Sequence, residues 1–424
     1  MLSVEDNELL TRTGRGTPMG ELFRRFWIPA LLSSELPKTG GPAVKVQLLG
    51  EKLIAYRGAG GKVGLMETRC PHRHANLYWG RNEEDGIRCV YHGWKFDFEG
   101  QCVDMPAEPE DSQYKERVKA VAYPTHEAGG IIWAYLGPKE VQPEFPEHEW
   151  TLMDPSEIYV TKRHQRCNYF QNVEGELDTA HVQFLHRDLN KSENLRVQQK
   201  MFAEAGNPEY TIAETPVGLL AIAQRPLPDA SNYWRITPFM MPSYTIVPTM
   251  VGNKFTFTAA IPIDDESMWG FTVSWAADRA LTEEELEKDR SGNILHVLTH
   301  PDFTPVANMD NDYLRDFDVM ATENFTGIRG IRSQDLPVQE DQDGPICQRD
   351  SEHLGTTDRA IVAARRVMLR TAKALAAGTE PTQPQQAKAF RQRSFAGEGA
   401  AEQPWDELFD AAQAPELRQL GIHA

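Results

Sequence analysis

The string Cys70-Pro71-His72, followed after sixteen intervening residues by Cys89-Val90-Tyr91-His92, constrains this chain more than any other feature. Two thiolates and two imidazoles arrive as two short loops, one of each kind per loop. The surrounding runs (VKVQLLG, KLIAYRGAGGKVGLME, IRCVYHGWKFDFEG, GGIIWAYLG) alternate with period two and break at glycines. Such a texture predicts a small antiparallel β domain whose ligand loops are adjacent turns. Structural zinc prefers Cys-x-x-Cys and His-x₃₋₅-His pairs, which this interleaving does not match.

A Rieske-type [2Fe–2S] cluster needs two cysteines on one iron and two histidines on the other, and each loop supplies one of each. Cys70, His72, Cys89 and His92 are therefore read as its ligands. Pro71 stiffens the first loop, Gly93 allows close backbone approach in the second, and Trp94 offers a dry cover. Neither loop holds a further cysteine for a loop-bridging disulfide. His74 is expected to face solvent or hydrogen-bond near the cluster, and Cys102 to pack as a small apolar side chain.

The chain has 424 residues, 62 acidic against 44 basic, for a formal net charge of −18. That balance argues against a nucleic-acid or anionic-membrane surface, which needs clustered positive charge. Five cysteines (Cys70, Cys89, Cys102, Cys167, Cys347) are too few and too scattered for a disulfide framework. No apolar run is long enough to span a bilayer, and the acidic start MLSVEDNELLTRTG does not read as a signal peptide. A cytoplasmic protein is expected.

Four segments follow from the pattern: 1–39, an N-terminal helical segment packing on the larger domain; 40–150, the cluster domain ending in the Pro- and Glu-rich exit linker 138–150; 151–377, a mixed domain; and 378–424, a flexible Gln-, Gly- and Pro-rich stretch ending in an amphipathic helix. Within the first, 18–37 reads as one short helix and a linker. In the third, helices are expected at 169–186, 282–299 and 358–376, with strands through 207–276.

A cluster domain needs about 100 residues, so what remains must receive its electrons or be unrelated. The segment CNYFQNVEGELDTAHVQFLH addresses this choice. Asp178 and His181, three apart, would share a helix face, and His186 reaches the same face only if the helix ends or loosens near Phe184. Two neutral imidazoles plus one carboxylate form a facial triad that leaves positions on Fe(II) open.

The two motifs in this order, with QDLPVQEDQDGPICQRDSEHLGTTD further on, resemble the large subunit of Rieske non-haem iron oxygenases, in particular the phthalate dioxygenase group. The resemblance runs from about residue 20 to 376. It implies an α+β chain: a small all-β Rieske domain joined to a helix-grip-like catalytic domain with a central antiparallel sheet and flanking helices. It further implies mononuclear Fe(II) held by His181, His186 and an Asp that opens a helix some 150 residues later. Among Asp335, Glu340, Asp341, Asp343, Asp350 and Asp358, Asp335 fits that pattern, with Pro337 in the first turn and Asp341 as the alternative. Asp178 would bridge a cluster histidine of one subunit to a mononuclear-site histidine of the next, in a head-to-tail homotrimer or dimer of trimers.

By the same resemblance, a separate reductase supplies electrons from NAD(P)H, and an aromatic substrate is hydroxylated or dihydroxylated with O₂. A carboxylated substrate would suit Arg225, Arg235, Arg329 or Arg332 as a bidentate partner, with Phe239, Met240, Met241 and Tyr244 as apolar walls or plain core. O-demethylation or monooxygenation of another small molecule is the alternative within the family. A cluster protein that only carries electrons and a zinc-stabilised binding protein are the alternatives outside it.

Overall fold

The computed structural model describes residues 2–189, 207–249 and 253–413. Short β runs punctuated by glycine build the N-terminal part. Val44–Leu48, Glu51–Arg57, Val63–Glu67 and Ala122–Tyr123 form one four-stranded antiparallel sheet. Arg81–Glu83, Gly86–Arg88, Lys95–Asp97 and Cys102–Asp104 form a second. Between them Ile54, Tyr56, Met66, Leu77, Ile87, Trp94 and Phe96 make a small apolar core that also buries Cys70, Cys89 and Cys102.

The larger part is one antiparallel sheet in the order Tyr159–Gln165, Met268–Ala276, Lys254–Pro262, Tyr244–Val247, Asn232–Met240, Gly218–Pro226, Glu209–Thr215. Alternating Val, Ile, Thr and aromatic residues drive these strands. Helix Arg359–Ala376 carries an apolar stripe (Ala360, Ala364, Val367, Met368, Ala372, Leu375) into the core with the strands. Helix Tyr169–Leu177, whose Tyr169, Phe170 and Val173 are buried, enters the same core. Glu174 of that helix accepts from Arg349 at 2.9 and 2.8 Å and from Arg365 at 2.7 Å, a buried ion cluster that ties three segments together. Burial alone would raise the Glu174 carboxyl, but the two guanidiniums outweigh it and hold it below the ordinary carboxylate range.

Three expectations need correction. Residues 18–37 hold not only helix Pro18–Phe23 but strand Trp27–Leu32, paired with Ile131–Tyr135. Pro29 is accommodated there because the register slips between Pro29 and Leu31. The segment 378–404 is not a flexible tail: Pro384 and Phe390 are buried, and Phe395–Gly399 adds to the sheet beside Asn232–Ile236, where Tyr244–Val247 is too short to reach. Its polar composition hid a few anchoring apolar residues. The helix near 282 ends at Arg290, because Gly292 at φ 74° turns the chain away. Helix Val4–Thr11, capped by Ser3, belongs to the expected N-terminal helical segment, within which only 18–37 had been assigned a helix. The terminal amphipathic helix is present as Trp405–Ala412 and buries Phe409. The rest of that expectation, 414–424, lies outside the described residues.

Candidate metal centres

The two Cys/His loops are near copies of each other. In the first, the Cys70 carbonyl accepts from the His74 N–H (2.9 Å) and the Cys70 N–H donates to the Ala75 carbonyl (2.9 Å). In the second, the Cys89 carbonyl accepts from the Gly93 N–H (3.0 Å) and the Cys89 N–H donates to the Trp94 carbonyl (2.8 Å). Both turns need a left-handed residue at the same place, His74 at φ 58° and Gly93 at φ 77°. Only glycine fits the second, since a Cβ there would stand 2.7 Å from Pro106. His74 is thus a turn residue with an exposed side chain.

Cys70 and Cys89 are 1% and 3% exposed, while His72 is exposed and His92 half-buried. The imidazole rings lie 4.5 Å apart, and His72 stacks on Trp94 at 4.4 Å. Burial and the neighbouring Cys89 push the Cys70 thiol up to about 11. The Cys70 thiol rests neutral in this environment, and a metal bound there would take both sulfurs as thiolates and release their protons. Paired sulfurs inside and paired imidazoles outside are what a two-iron cluster with unlike ends requires.

The second centre begins where helix Tyr169–Leu177 stops. The expected single helix 169–186 is broken, because the Asp178 side chain accepts the Ala180 N–H (2.7 Å) and diverts the chain. Asp178 and His181 do not share a helix face. A single 3₁₀ turn, His181–Gln183, carries the first imidazole, and the chain loosens at Phe184 so that His186 swings beside it.

The third donor comes from helix Ile331–Glu340. Asp335 is its fifth residue and not its N-cap. The helix starts earlier, at Gly330 (φ 91°), and Pro337 sits inside it. Asp341 ends the helix and is exposed, and Asp343 and Asp350 are exposed as well. Glu340 is buried but engaged, accepting from the Tyr313 hydroxyl (2.7 Å) and the Arg166 N–H (2.9 Å). Asp358 accepts from the Gly355 N–H at 2.6 Å.

His181 Nε2, His186 Nε2 and Asp335 Oδ1 form a triangle with edges of 3.2, 3.2 and 3.7 Å. Ligand atoms about 2.1 Å from one metal ion and at right angles sit about 3 Å apart, so these edges suit one face of an octahedron. Among the described residues, this is the one group of three or more potential donors whose ligand atoms all lie within 4.8 Å of one another, as a single ion requires. The other ring nitrogens are already engaged: His186 Nδ1 at 2.7 Å from Gln334 Oε1, and His181 Nδ1 within 3.5 Å of Asp178 Oδ2. With both Nδ1 atoms protonated toward those acceptors, the two Nε2 atoms and Asp335 Oδ1 would point lone pairs at one another, an arrangement that a proton or a metal cation relieves.

Burial would raise the Asp335 carboxyl, but the neighbouring histidines and Arg332 pull it down to about 2. Burial would likewise lower His181, yet Asp178 and Asp335 raise it overall. Asp335 Oδ2 lies 3.4 Å from Arg332 Nη1, and Arg332 also pairs with buried Glu176. Arg332 therefore orders the triad carboxylate and is spent as a substrate contact. Arg329 pairs with exposed Glu323 at 3.0 Å. Arg225 lies beside the site: fully buried, it donates to the Thr179 carbonyl at 2.8 Å, one residue from Asp178. Phe239, Met240, Met241 and Tyr244 are fully buried core residues.

Gln334, Glu176 and the bridging amide Gln339 were missed by sequence reasoning. Gln339 Oε1 accepts from Gln165 and Asn172, locking together the two helices that carry Asp178 and Asp335. Gly175 permits that approach, since a Cβ there would lie 2.4 Å from Gln339 Nε2.

The Rieske [2Fe-2S] domain family matches residues 26–123, and the family described as LigXa C-terminal domain like matches residues 134–416. The chain belongs to the Rieske non-haem iron oxygenases. It is 38% identical over 396 residues to the 3-chlorobenzoate-3,4-dioxygenase oxygenase subunit of Comamonas testosteroni, covering 90% of this chain and 91% of that one. It is 35% identical to the phthalate 4,5-dioxygenase oxygenase subunit of Pseudomonas putida (89% and 88% covered). It is 31% identical to the 5,5'-dehydrodivanillate O-demethylase oxygenase subunit of a Sphingobium strain (90% and 83% covered).

Among solved structures, NdmB of Pseudomonas putida CBB5 shares the fold with a TM-score of 0.59 at 20% identity, over 92% of this chain and 99% of that one. A carbazole-bound oxygenase in the ferredoxin complex of carbazole 1,9a-dioxygenase gives 0.58 at 20% identity, over 88% and 97%. The family carries a Rieske cluster and a mononuclear iron, and the chain is the oxygenase component of a multicomponent aromatic-oxygenating system. No helix among the described residues is long and apolar enough to cross a membrane.

Proposed function

We propose that this oxygenase hydroxylates or dihydroxylates a carboxylated aromatic compound, with His181, His186 and Asp335 holding Fe(II) and with Cys70, His72, Cys89 and His92 holding the cluster. The convergence of three potential donor atoms on one point is the observation that carries the iron assignment. When bound, the cluster stores electrons drawn from NAD(P)H through a reductase, and Fe(II) activates O₂. Asp178 is the link between the centres. It touches His181, and its side chain keeps 25% exposure, enough to meet a second partner.

That partner is the exposed imidazole end of a neighbouring copy's cluster loops, in a closed head-to-tail ring. Exposed Val90 and Tyr91 beside the cluster and exposed Phe184 and Phe325 beside the iron site give each side apolar surface to bury. Within the chain, Asp178 holds His181 by Nδ1, and Arg332 holds the spare oxygen of Asp335.

The substrate class rests on Arg225 and Arg235. Both are buried near the Asp178–His181 turn, and burial together with Arg235 lowers the Arg225 guanidinium to about 10. Neighbouring cations in a dry site favour a carboxylate. Two of the relatives are named for chlorobenzoate and phthalate, both aromatic carboxylates.

The test is single turnover of dithionite-reduced enzyme with O₂ and paired benzoates and methyl esters, read as product. Acids are expected to react and esters to lose about 10- to 100-fold in apparent affinity, the value of a charged hydrogen bond. Arg225→Met should remove that preference, with Arg225→Lys restoring part of it. Equal reaction of acids and esters would exclude the carboxylate reading, and loss of a methyl group from methoxybenzoates without ring hydroxylation would favour an O-demethylase.

A further inference from the structure

We infer that Gln334 is a positioning residue that fixes the ring orientation and tautomer of His186, and so decides which nitrogen the metal site receives. The inference rests on the reading of His186 as an iron ligand. An imidazole offers two nitrogens, and only the one lacking its proton can bind a metal. Gln334 Nε2 donates to the Ile328 carbonyl at 2.9 Å, which orients the amide and leaves Oε1 as an acceptor. That oxygen lies 2.7 Å from His186 Nδ1. An acceptor there requires Nδ1 to carry the proton, so Nε2 keeps its lone pair toward His181 and Asp335.

The support behind the amide is itself fixed. The Ile328 carbonyl also accepts from Asn324 Nδ2 at 3.1 Å, and Asn324 Oδ1 accepts the Gly327 N–H at 2.8 Å. The strand-like segment after His186 is strapped to this same loop, since the Phe325 N–H donates to the Arg187 carbonyl and the Leu189 N–H to the Glu323 carbonyl. Gln334 is 5% exposed and precedes Asp335 on one helix, so a single element presents both a ligand and the group that orients another ligand. The two imidazoles are thereby unequal. His181 leans on a carboxylate, which makes it the stronger donor, and His186 leans on a neutral amide.

The experiment compares Gln334→Met and Gln334→Glu with wild type as cluster-loaded protein. Fe(II) affinity is read by competition with ferrozine, and the site's electronic structure by the EPR spectrum of its nitric oxide adduct. Gln334→Met keeps the volume, and Asn324 still satisfies the Ile328 carbonyl, so the cluster absorption should not change. Its Fe(II) affinity should fall roughly 10- to 100-fold, the usual cost of removing a group that orients a ligand. Gln334→Glu retains an oxygen acceptor and should hold Fe(II) close to wild type with an altered adduct spectrum.

Wild-type affinity and spectrum in Gln334→Met would overturn the inference. Equal losses in both variants would overturn it too, since the amide would then only fill space. Should Gln334→Met fail to fold, the Gln334→Glu spectrum decides: a change supports the inference and identity with wild type refutes it. His186→Ala separates the two levels. If it keeps the mononuclear iron, the ligand assignment falls and the inference with it; if it loses that iron while Gln334→Met does not, the inference alone falls.

Discussion

Asp178→Asn is expected to bind both metals and yet turn over on the order of 100-fold more slowly, at the upper end of what partners of metal ligands contribute. The substitution is nearly isosteric. The side-chain oxygen that accepts the Ala180 N–H is retained, so the turn that ends helix Tyr169–Leu177 and places His181 should survive. What disappears is the negative charge. Burial alone would raise the Asp178 carboxyl, but its contact with His181 outweighs this and holds it below the ordinary carboxylate range, so it is ionised at neutral pH. An amide there cannot stabilise a proton on His181, and it offers a neighbouring cluster histidine a weaker partner. The measurement is stopped-flow reoxidation of the reduced cluster with O₂ and substrate, alongside iron content. A wild-type rate in a fully loaded variant would remove Asp178 from the electron path.

Asp335→Ala should have the opposite pattern: the mononuclear iron lost, the cluster intact, and turnover reduced to background. The carboxylate supplies the only formal charge in the triad, and its removal leaves buried Arg332 with Glu176 alone. Two neutral imidazoles in a cationic surrounding should bind Fe(II) too weakly to keep it. Iron and acid-labile sulfide should drop from three irons and two sulfides per chain to two and two, with the visible spectrum unchanged. Retention of three irons would return attention to the other acidic residues of the region. Asp341 is a poor replacement, because it is exposed at the far end of the same helix.

The residues proposed to bind metals were legible in the sequence, whereas the residues proposed to aim them were not. A Cys/His pair at fixed spacing is a local signal, because one tight turn delivers both ligands. His181 and His186 were legible for the same reason, and the loosening at Phe184 was foreseeable from their spacing alone. Asp335 required a family pattern, since nothing local marks one carboxylate among six. Its expected place as an N-cap was wrong because Pro337 suggested a first turn, whereas Gly330 starts the helix earlier.

Gln334, Glu176 and Gln339 were invisible because a buried amide or ion pair is defined by its tertiary partner and leaves no periodic trace. Arg332 carried a signal that misled, since a guanidinium near an acidic motif reads equally as substrate clamp and structural pair. The sheet strands were read well from alternation. The tail strand Phe395–Gly399 was not, because its neighbours are Gln, Gly and Pro and its partner, Asn232–Ile236, lies far away in the chain.

If Asp178 links the centres as proposed, the cluster of one copy serves the iron site of the next. Co-expressing Cys89→Ser chains, which lack the cluster, with His181→Ala chains, which lack the mononuclear iron, tests it most directly. No chain then carries both centres, so product can form only across a boundary between copies. Mixed oligomers are expected to regain substantial turnover while each parent alone is inactive. Mixed oligomers that contain both centres and still form no product would contradict it.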